Sequence, residues 1–210
     1  MNTMIKLLIN IQASLNKLTY LDFLATVPLR VYLAAVFWTA GYNKFVAFDS
    51  TTEWFGNPEW GLGMPFPELM AFLAISAEMG GAVLLLLGLA TRWATIPLMV
   101  TMVVAAVSVH WHNGWQAVHD VMSPWASENA VAAIERLDRP KSLLQEHGNY
   151  NWLTEHGSLI ASNNGIEWAA TYFIMLMALF MLGGGRFFSV DFWINKTLIK
   201  KILLSEIKFF

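Results

Sequence analysis

The chain has 210 residues, of which 56% are hydrophobic and only 13% charged. A soluble domain carries about 25% charged residues, and a short chain keeps too large an exposed fraction to bury such an apolar excess in its own core, so lipid is the solvent that fits. The net charge of −2 leaves no electrostatic footprint for nucleic acid, and the absence of cysteine excludes a disulfide framework, thiol redox chemistry and thiolate-held metal.

In chain order, residues 1–23 place Ile5, Leu8, Ile9, Ile11, Leu15 and Leu18 at near-helical spacing, with Lys6, Asn10, Gln12, Asn16 and Lys17 between them. That pattern suits a helix lying in the membrane interface. Four apolar stretches approach the roughly 20 residues a spanning helix needs. They run from about Leu24 to Phe45, Pro67 to Ala90, Trp93 to His110 and Ile166 to Leu182. The link around Thr91 is so short that the second and third stretches must form an antiparallel hairpin. Pro97 falls near the start of the third, where its missing N–H costs little. A polar, Trp-rich loop joins the first two. Residues 111–165 form an insertion, in which Ser127–Gly148 reads as a short amphipathic helix broken at Pro140. The triple glycine Gly183–Gly185 ends the fourth helix, and residues 191–210 follow as an interfacial tail.

The fold expected is all-α: a four-transmembrane-helix bundle over residues 24–190, with an N-terminal interfacial helix and a partly helical extracytoplasmic loop cap. Lys6, Lys17, Arg92, Arg186, Lys196, Lys200, Lys201 and Lys208 all fall on one side of four spans. The excess of positive charge marks that side as cytoplasmic, with both termini there and the Trp-rich loops outside. A bacterial inner membrane is the expected location.

Charged groups inside spans are costly, roughly 2.5–3.5 kcal/mol on insertion scales, so each needs a partner or a function. Glu78 lies in the middle of the second span. Arg30 reaches toward it from the cytoplasmic side and Lys44 from the other. A proton- or quinol-coupled group and a buried ion pair locking two helices both fit these residues. His110, His112, His119 and Met122 cluster beyond the third span; imidazole and thioether suit copper, and ring packing suits the same residues. Glu167 opens the fourth helix, where an acid complements the helix N-terminus. Gly80 and Gly81 allow close helix approach. The Trp side chains read as an interfacial belt, or as the lining of a site for a flat lipid-soluble ligand.

The run LRVYLAAVFWTAGYNKF, with Arg30, Gly41 and Lys44, is followed by a Pro67-bounded helix carrying Glu78, Gly80, Gly81 and Gly88. A Thr91–Arg92 turn comes next, then a helix ending at His110 before Asn113–Gly114. This combination resembles the DoxX family of small four-helix membrane proteins, over roughly residues 25–116. The resemblance implies a redox-linked accessory subunit, associated with quinone and with a protein partner. The long insertion departs from the plainest members and is similar to a subgroup found beside enzymes that make copper-binding peptides. That implies, as an alternative, a non-enzymatic component of peptide maturation or export. A recruitment or assembly protein, with the loop cap docking a partner, is a third expectation. Lipid contact and homo-oligomerisation are compatible with each.

Overall fold

The computed structural model describes the backbone of residues 3–207 and the side chains of residues 4–198. The side chains of Lys200, Lys201 and Lys208, counted above in the charge asymmetry, lie outside the described residues. Among those described, the chain is helical or irregular, with no β-strand beyond an isolated antiparallel bridge between Val118 and Ser162. It divides into two compact units: Met1–Thr101 with Phe173–Phe210, and Met102–Tyr172.

The first unit opens with α1 (Thr3–Asn16) and a 3₁₀ turn, Lys17–Leu21. Every side chain from Met4 to Tyr20 is exposed, apolar and polar alike. Then α2 (Phe23–Val46) covers the first apolar stretch almost to the residue. Ala47 leaves helical geometry and α3 (Phe48–Gly56) begins at once, a helix absent from the sequence expectation of a loop. Next comes α4 (Pro67–Leu87), with Pro67 in its first turn, where no intrahelical N–H is needed. Gly88 ends it in the left-handed region at φ 63°, with Gly88 N–H on Leu85 O and Leu89 N–H on Leu84 O. Left-handed geometry suits glycine, and these two bonds satisfy carbonyls that the helix end leaves open.

Helix α5 (Thr91–Val104) starts only three residues later. It begins two residues earlier than expected, which puts Pro97 in its second turn rather than its first. Helix α8 (Glu167–Leu182) ends at the three glycines, where Gly183 and Gly185 take positive φ, and α9 (Val190–Ile207) follows.

Small residues set the close approaches. A Cβ on Gly41 would lie 2.7 Å from Met79 Cγ and 3.0 Å from Glu78 Cβ, so α2 rests directly on α4 there. A Cβ on Gly81 would lie 2.8 Å from Leu98 Cδ1, so α4 and α5 meet at that point; Gly80 has nothing within 4 Å and does not share the role. Leu33, Phe37, Leu85, Leu98, Leu176 and Leu179 are fully buried.

Among the described residues, three helical stretches are long and apolar enough to cross a membrane: one within Met4–Val46, Pro67–Leu87, and Thr91–Asn113. Helix α8 is equally apolar but has 16 residues, about 24 Å at 1.5 Å per residue.

The second unit begins in the last residues of α5. The helix widens into π-helical turns over Ala105–His110 and closes with a 3₁₀ turn, Trp111–Asn113. The insertion contains α6 (Ala130–His147) and a short turn of helix, α7 (Tyr150–Leu153). Helix α6 runs through Pro140 rather than breaking there. Pro140 removes one N–H bond to the carbonyl of Arg136, and on an exposed helix water can serve that carbonyl.

The two arms of the insertion are tied together. Asn163 and Asn164 N–H donate to Ala117 O, Gly165 N–H to Gln116 O, Ile166 N–H to Gly114 O, and His119 N–H to Ala161 O. The Asn163 side-chain amide donates to Asn113 O and Gln116 O, both at 2.7 Å. The segments 113–119 and 161–167 thus make a hydrogen-bonded neck.

Candidate functional site

Glu78 is the twelfth of the 21 residues of α4 and is 4% exposed. Its carboxylate accepts two hydrogen bonds from Lys44 Nζ, 2.8 Å to Oε1 and 2.7 Å to Oε2. Gly41 makes the pair possible. One turn before Lys44 on α2, it brings the two backbones close enough for the lysine stem to reach back to the carboxylate. The Lys44 side chain is 28% exposed. An ammonium carries three donors, so with two directed at Glu78 the third is available at the open side of the pair.

Arg30 does something else. It is 2% exposed and belongs to α2, four residues after Thr26. Its guanidinium makes no bond to Glu78. Nε donates to Leu85 O at 2.7 Å, Nη2 to Leu86 O at 2.8 Å, and Nη1 to Gly184 O at 2.6 Å and Phe188 O at 3.1 Å. Arg30 therefore binds the last carbonyls of α4 and the glycine loop after α8. The C-terminal end of a helix carries partial negative charge and unpaired carbonyls, which is how this cation is satisfied without a carboxylate. The expectation that Arg30 reaches Glu78 is corrected on geometric grounds. Leu85 lies seven residues beyond Glu78, about 10 Å along the helix at 1.5 Å per residue.

The other face of the same turn is held by Asp191, from the first turn of α9. Its carboxylate accepts from Ala90 N–H at 2.7 Å and Thr91 N–H at 2.9 Å, and its own N–H donates to Gly88 O at 2.9 Å. A carboxylate on the open N–H groups of α5 matches the positive end of that helix. The α4–α5 turn is thus gripped by a cation at the outgoing end of one helix and an anion at the incoming end of the next. The sequence places Asp191 only at the start of the interfacial tail, because nothing local marks an acid a hundred residues away as a cap. Gly41 and Gly88 stood in the family pattern without an assigned role.

In the second unit, His110 Nδ1 lies 2.8 Å from Asn164 O, and the Asn113 amide donates to the same carbonyl at 3.1 Å. His119 Nδ1 lies 3.2 Å from Ser127 Oγ. His112 and Met122 have no hydrogen-bonding role at these groups, and Met122 points outward. Among the described residues no three His, Asp or Glu side chains are grouped to hold a metal ion. Glu167 Oε2 accepts from Ala117 N–H at 2.9 Å, while its own N–H donates to Trp115 O, so it belongs to the neck. Trp115 and Trp125 pack at 6.4 Å and Trp168 stacks on Tyr172 at 6.0 Å. Trp60, Trp111, Trp125, Trp152 and Trp168 are exposed, as interfacial side chains are.

Of the residues singled out from sequence, the structure brings Lys44 and Glu78 together and gives Arg30, His110, His119 and Glu167 separate partners. The first unit also holds a cleft of about 370 Å³ between the start of α5, the glycine loop and the start of α9. Glu78 and Lys44 do not line it.

The profile of the DoxX family matches residues 25–111, which contain Arg30, Gly41, Lys44, Glu78, Gly88, Thr91, Arg92 and His110. "Inner membrane protein YphA" of Escherichia coli is 31% identical over 117 residues, covering 52% of this chain and 78% of that protein. "Putative oxidoreductase CatD" of Bacillus subtilis is 31% identical over 86 residues, covering 41% of this chain and 60% of that protein. No solved structure matches the chain. The insertion and α9 lie beyond the family match, whereas the carboxylate–ammonium pair and the α4–α5 turn fall within it: the chain belongs to the DoxX family.

Proposed function

We propose that this protein is an accessory, non-catalytic subunit of a redox system in a bacterial inner membrane, and that Lys44 and Glu78 form its polar contact with a membrane-soluble quinone. The observation that carries this reading is the buried Glu78–Lys44 pair, whose ammonium keeps one donor free at its open side. A quinone carbonyl is an acceptor that such a donor suits, and the adjoining carboxylate is a proton partner for the reduced form. The Bacillus subtilis relative, "Putative oxidoreductase CatD", supports a redox setting.

In this reading α8 crosses the membrane as a fourth span and completes a four-helix bundle. Its roughly 24 Å falls a little short of a hydrocarbon core of about 30 Å, a mismatch that local thinning and flanking residues absorb. Trp168 at one end and Arg186 with Trp193 beyond the other supply such flanks. Both termini then lie in the cytoplasm, with the insertion outside, as the distribution of Lys6, Lys17, Arg92, Arg186 and Lys196 favours.

The test is to purify the protein in a mild detergent, extract its lipids and measure quinone by chromatography, alongside photolabelling with an azido-quinone. Retained quinone in the wild type, strongly reduced in Glu78→Gln and Lys44→Met, is the expected result. No quinone in wild-type extracts and no label on α2 or α4 would refute the assignment.

A further inference from the structure

The quinone reading does not use the cleft in the first unit, and the Asp191 contacts to Ala90 and Thr91 that grip the α4–α5 turn form part of its wall. Its polar lining includes Asp22, Arg92, Arg186, Asp191 and Asn195, and its apolar lining includes Trp93, Leu182 and Phe192, with the three glycines between. We infer that it binds the phosphate of an anionic phospholipid, with Arg92 and Arg186 as the anion-binding groups.

The formal charges of the lining cancel, two aspartates against two arginines, and it is the spare hydrogen-bonding capacity of the arginines that points there. Both aspartates are occupied by backbone donors: Asp191 by Ala90 and Thr91 N–H, Asp22 by Arg186 N–H at 3.0 Å. Arg92 has no carboxylate partner among the described residues; there its guanidinium makes one hydrogen bond, from Nη2 to Met181 O at 3.0 Å. Arg186 lies over the Tyr20 ring at 4.5 Å and only 3.9 Å from Asp22 Oδ2, a loose contact that leaves guanidinium donors open. Two fork-shaped donor groups with spare N–H bonds beside one cleft suit a phosphate better than a lysine pair would. The Thr91 hydroxyl, in the wall of the cleft, is fully buried and has no partner.

The apolar lining chooses between a free phosphate and a lipid. Trp93, 76% exposed, stands next to Arg92 in sequence at the start of a spanning helix, where an indole marks headgroup depth. A phosphate held at Arg92 would have its acyl chains against Trp93 and Leu182. A soluble phosphate gains nothing from that surface. The volume of about 370 Å³ accommodates a headgroup with its glycerol, and the chains leave along the apolar side.

Native mass spectrometry of the full chain in mild detergent, titrated with phosphatidylglycerol and separately with phosphatidylcholine, tests this. Wild type should hold one phosphatidylglycerol at least about tenfold more tightly than phosphatidylcholine, and Arg92→Gln should weaken the former by about tenfold, as expected for one charge-assisted contact. Arg92→Lys, which keeps the charge but loses the fork, should bind more tightly than Arg92→Gln and more weakly than wild type, and Arg136→Gln, far along the chain in α6, should leave binding unchanged. Arg186→Gln gives an independent second reading should Arg92→Gln unfold. Inorganic phosphate should not displace the lipid. Equal binding by wild type and both glutamine variants overturns the site; displacement by inorganic phosphate overturns the lipid and leaves a soluble anion as the ligand.

Discussion

At the scale of residues, the two buried charges of the first unit are solved in different ways, and the difference predicts how each tolerates change. Glu78 depends on one partner. Lys44→Met leaves a carboxylate buried and unpaired, and breaking a buried pair from one side costs about 3–5 kcal/mol. Glu78→Gln leaves Lys44, which is partly exposed and can turn outward. A thermal unfolding series in detergent should therefore rank Lys44→Met well below Glu78→Gln. Arg30 has four carbonyl partners spread over a plane. Lysine has a single point of charge and three donors, so Arg30→Lys should destabilise the α4–α5 turn almost as much as Arg30→Ala. Hydrogen exchange at Leu89, Ala90 and Thr91 would show it. Sequence reading identified Arg30, Lys44 and Glu78 as the polar set because charge within a span is conspicuous. Both Arg30 and Lys44 are expected to reach Glu78 from the sequence; which of them pairs with it was not legible, since that depends on where Gly41 brings two helices into contact. Nothing in the spacing of α2 says that Arg30 meets a helix end rather than a side chain.

At the scale of elements, apolar length was a faithful guide and polar segments were not. Helices α2, α4 and α8, and α5 together with its π-helical turns, start and stop within a few residues of the expected limits, because a long apolar run has no stable alternative to a helix in lipid. Helix α3 went unseen. Nine residues with serine, two threonines and an aspartate read as a loop, and a helix that short is marginal by itself. It forms by packing Phe55 and resting Gly56 against Pro67, whose ring would lie 2.9 Å from an added Cβ. Helix α6 was seen but divided at Pro140, whereas the helix tolerates the proline. Replacing a proline by alanine in a helix interior removes a penalty of about 3 kcal/mol. Pro140→Ala should slow amide exchange in residues 136–147 while leaving the exchange of α2 and α4 unchanged; no slowing would mean that α6 already behaves as two shorter helices. The π-helical turns at Ala105–His110 have no signature in the sequence.

At the scale of the whole molecule, membrane insertion and family membership follow from the same residues, 25–111. The direction of insertion is open to a direct test, because the chain has no cysteine of its own. Single cysteines at Asp138 and at Lys196 should label from opposite sides of intact cells with an impermeant maleimide, Asp138 from outside; labelling of both from outside would remove α8 as a fourth span. The extra length of this chain relative to its family match was visible as an insertion, but not how it is attached. The neck supplies the answer. Residues 113–119 and 161–167 bond to each other through backbone and Asn163 contacts that need nothing from the residues between. The neck's further bonds, from Gln116 and His119, reach only Asp120 and Ser127, so whatever lies from 128 to 160 can grow, shrink or be exchanged without moving the two stretches of chain that carry it. The neck makes the insertion an interchangeable cassette, and a version with a short glycine–serine bridge in its place should still insert and fold.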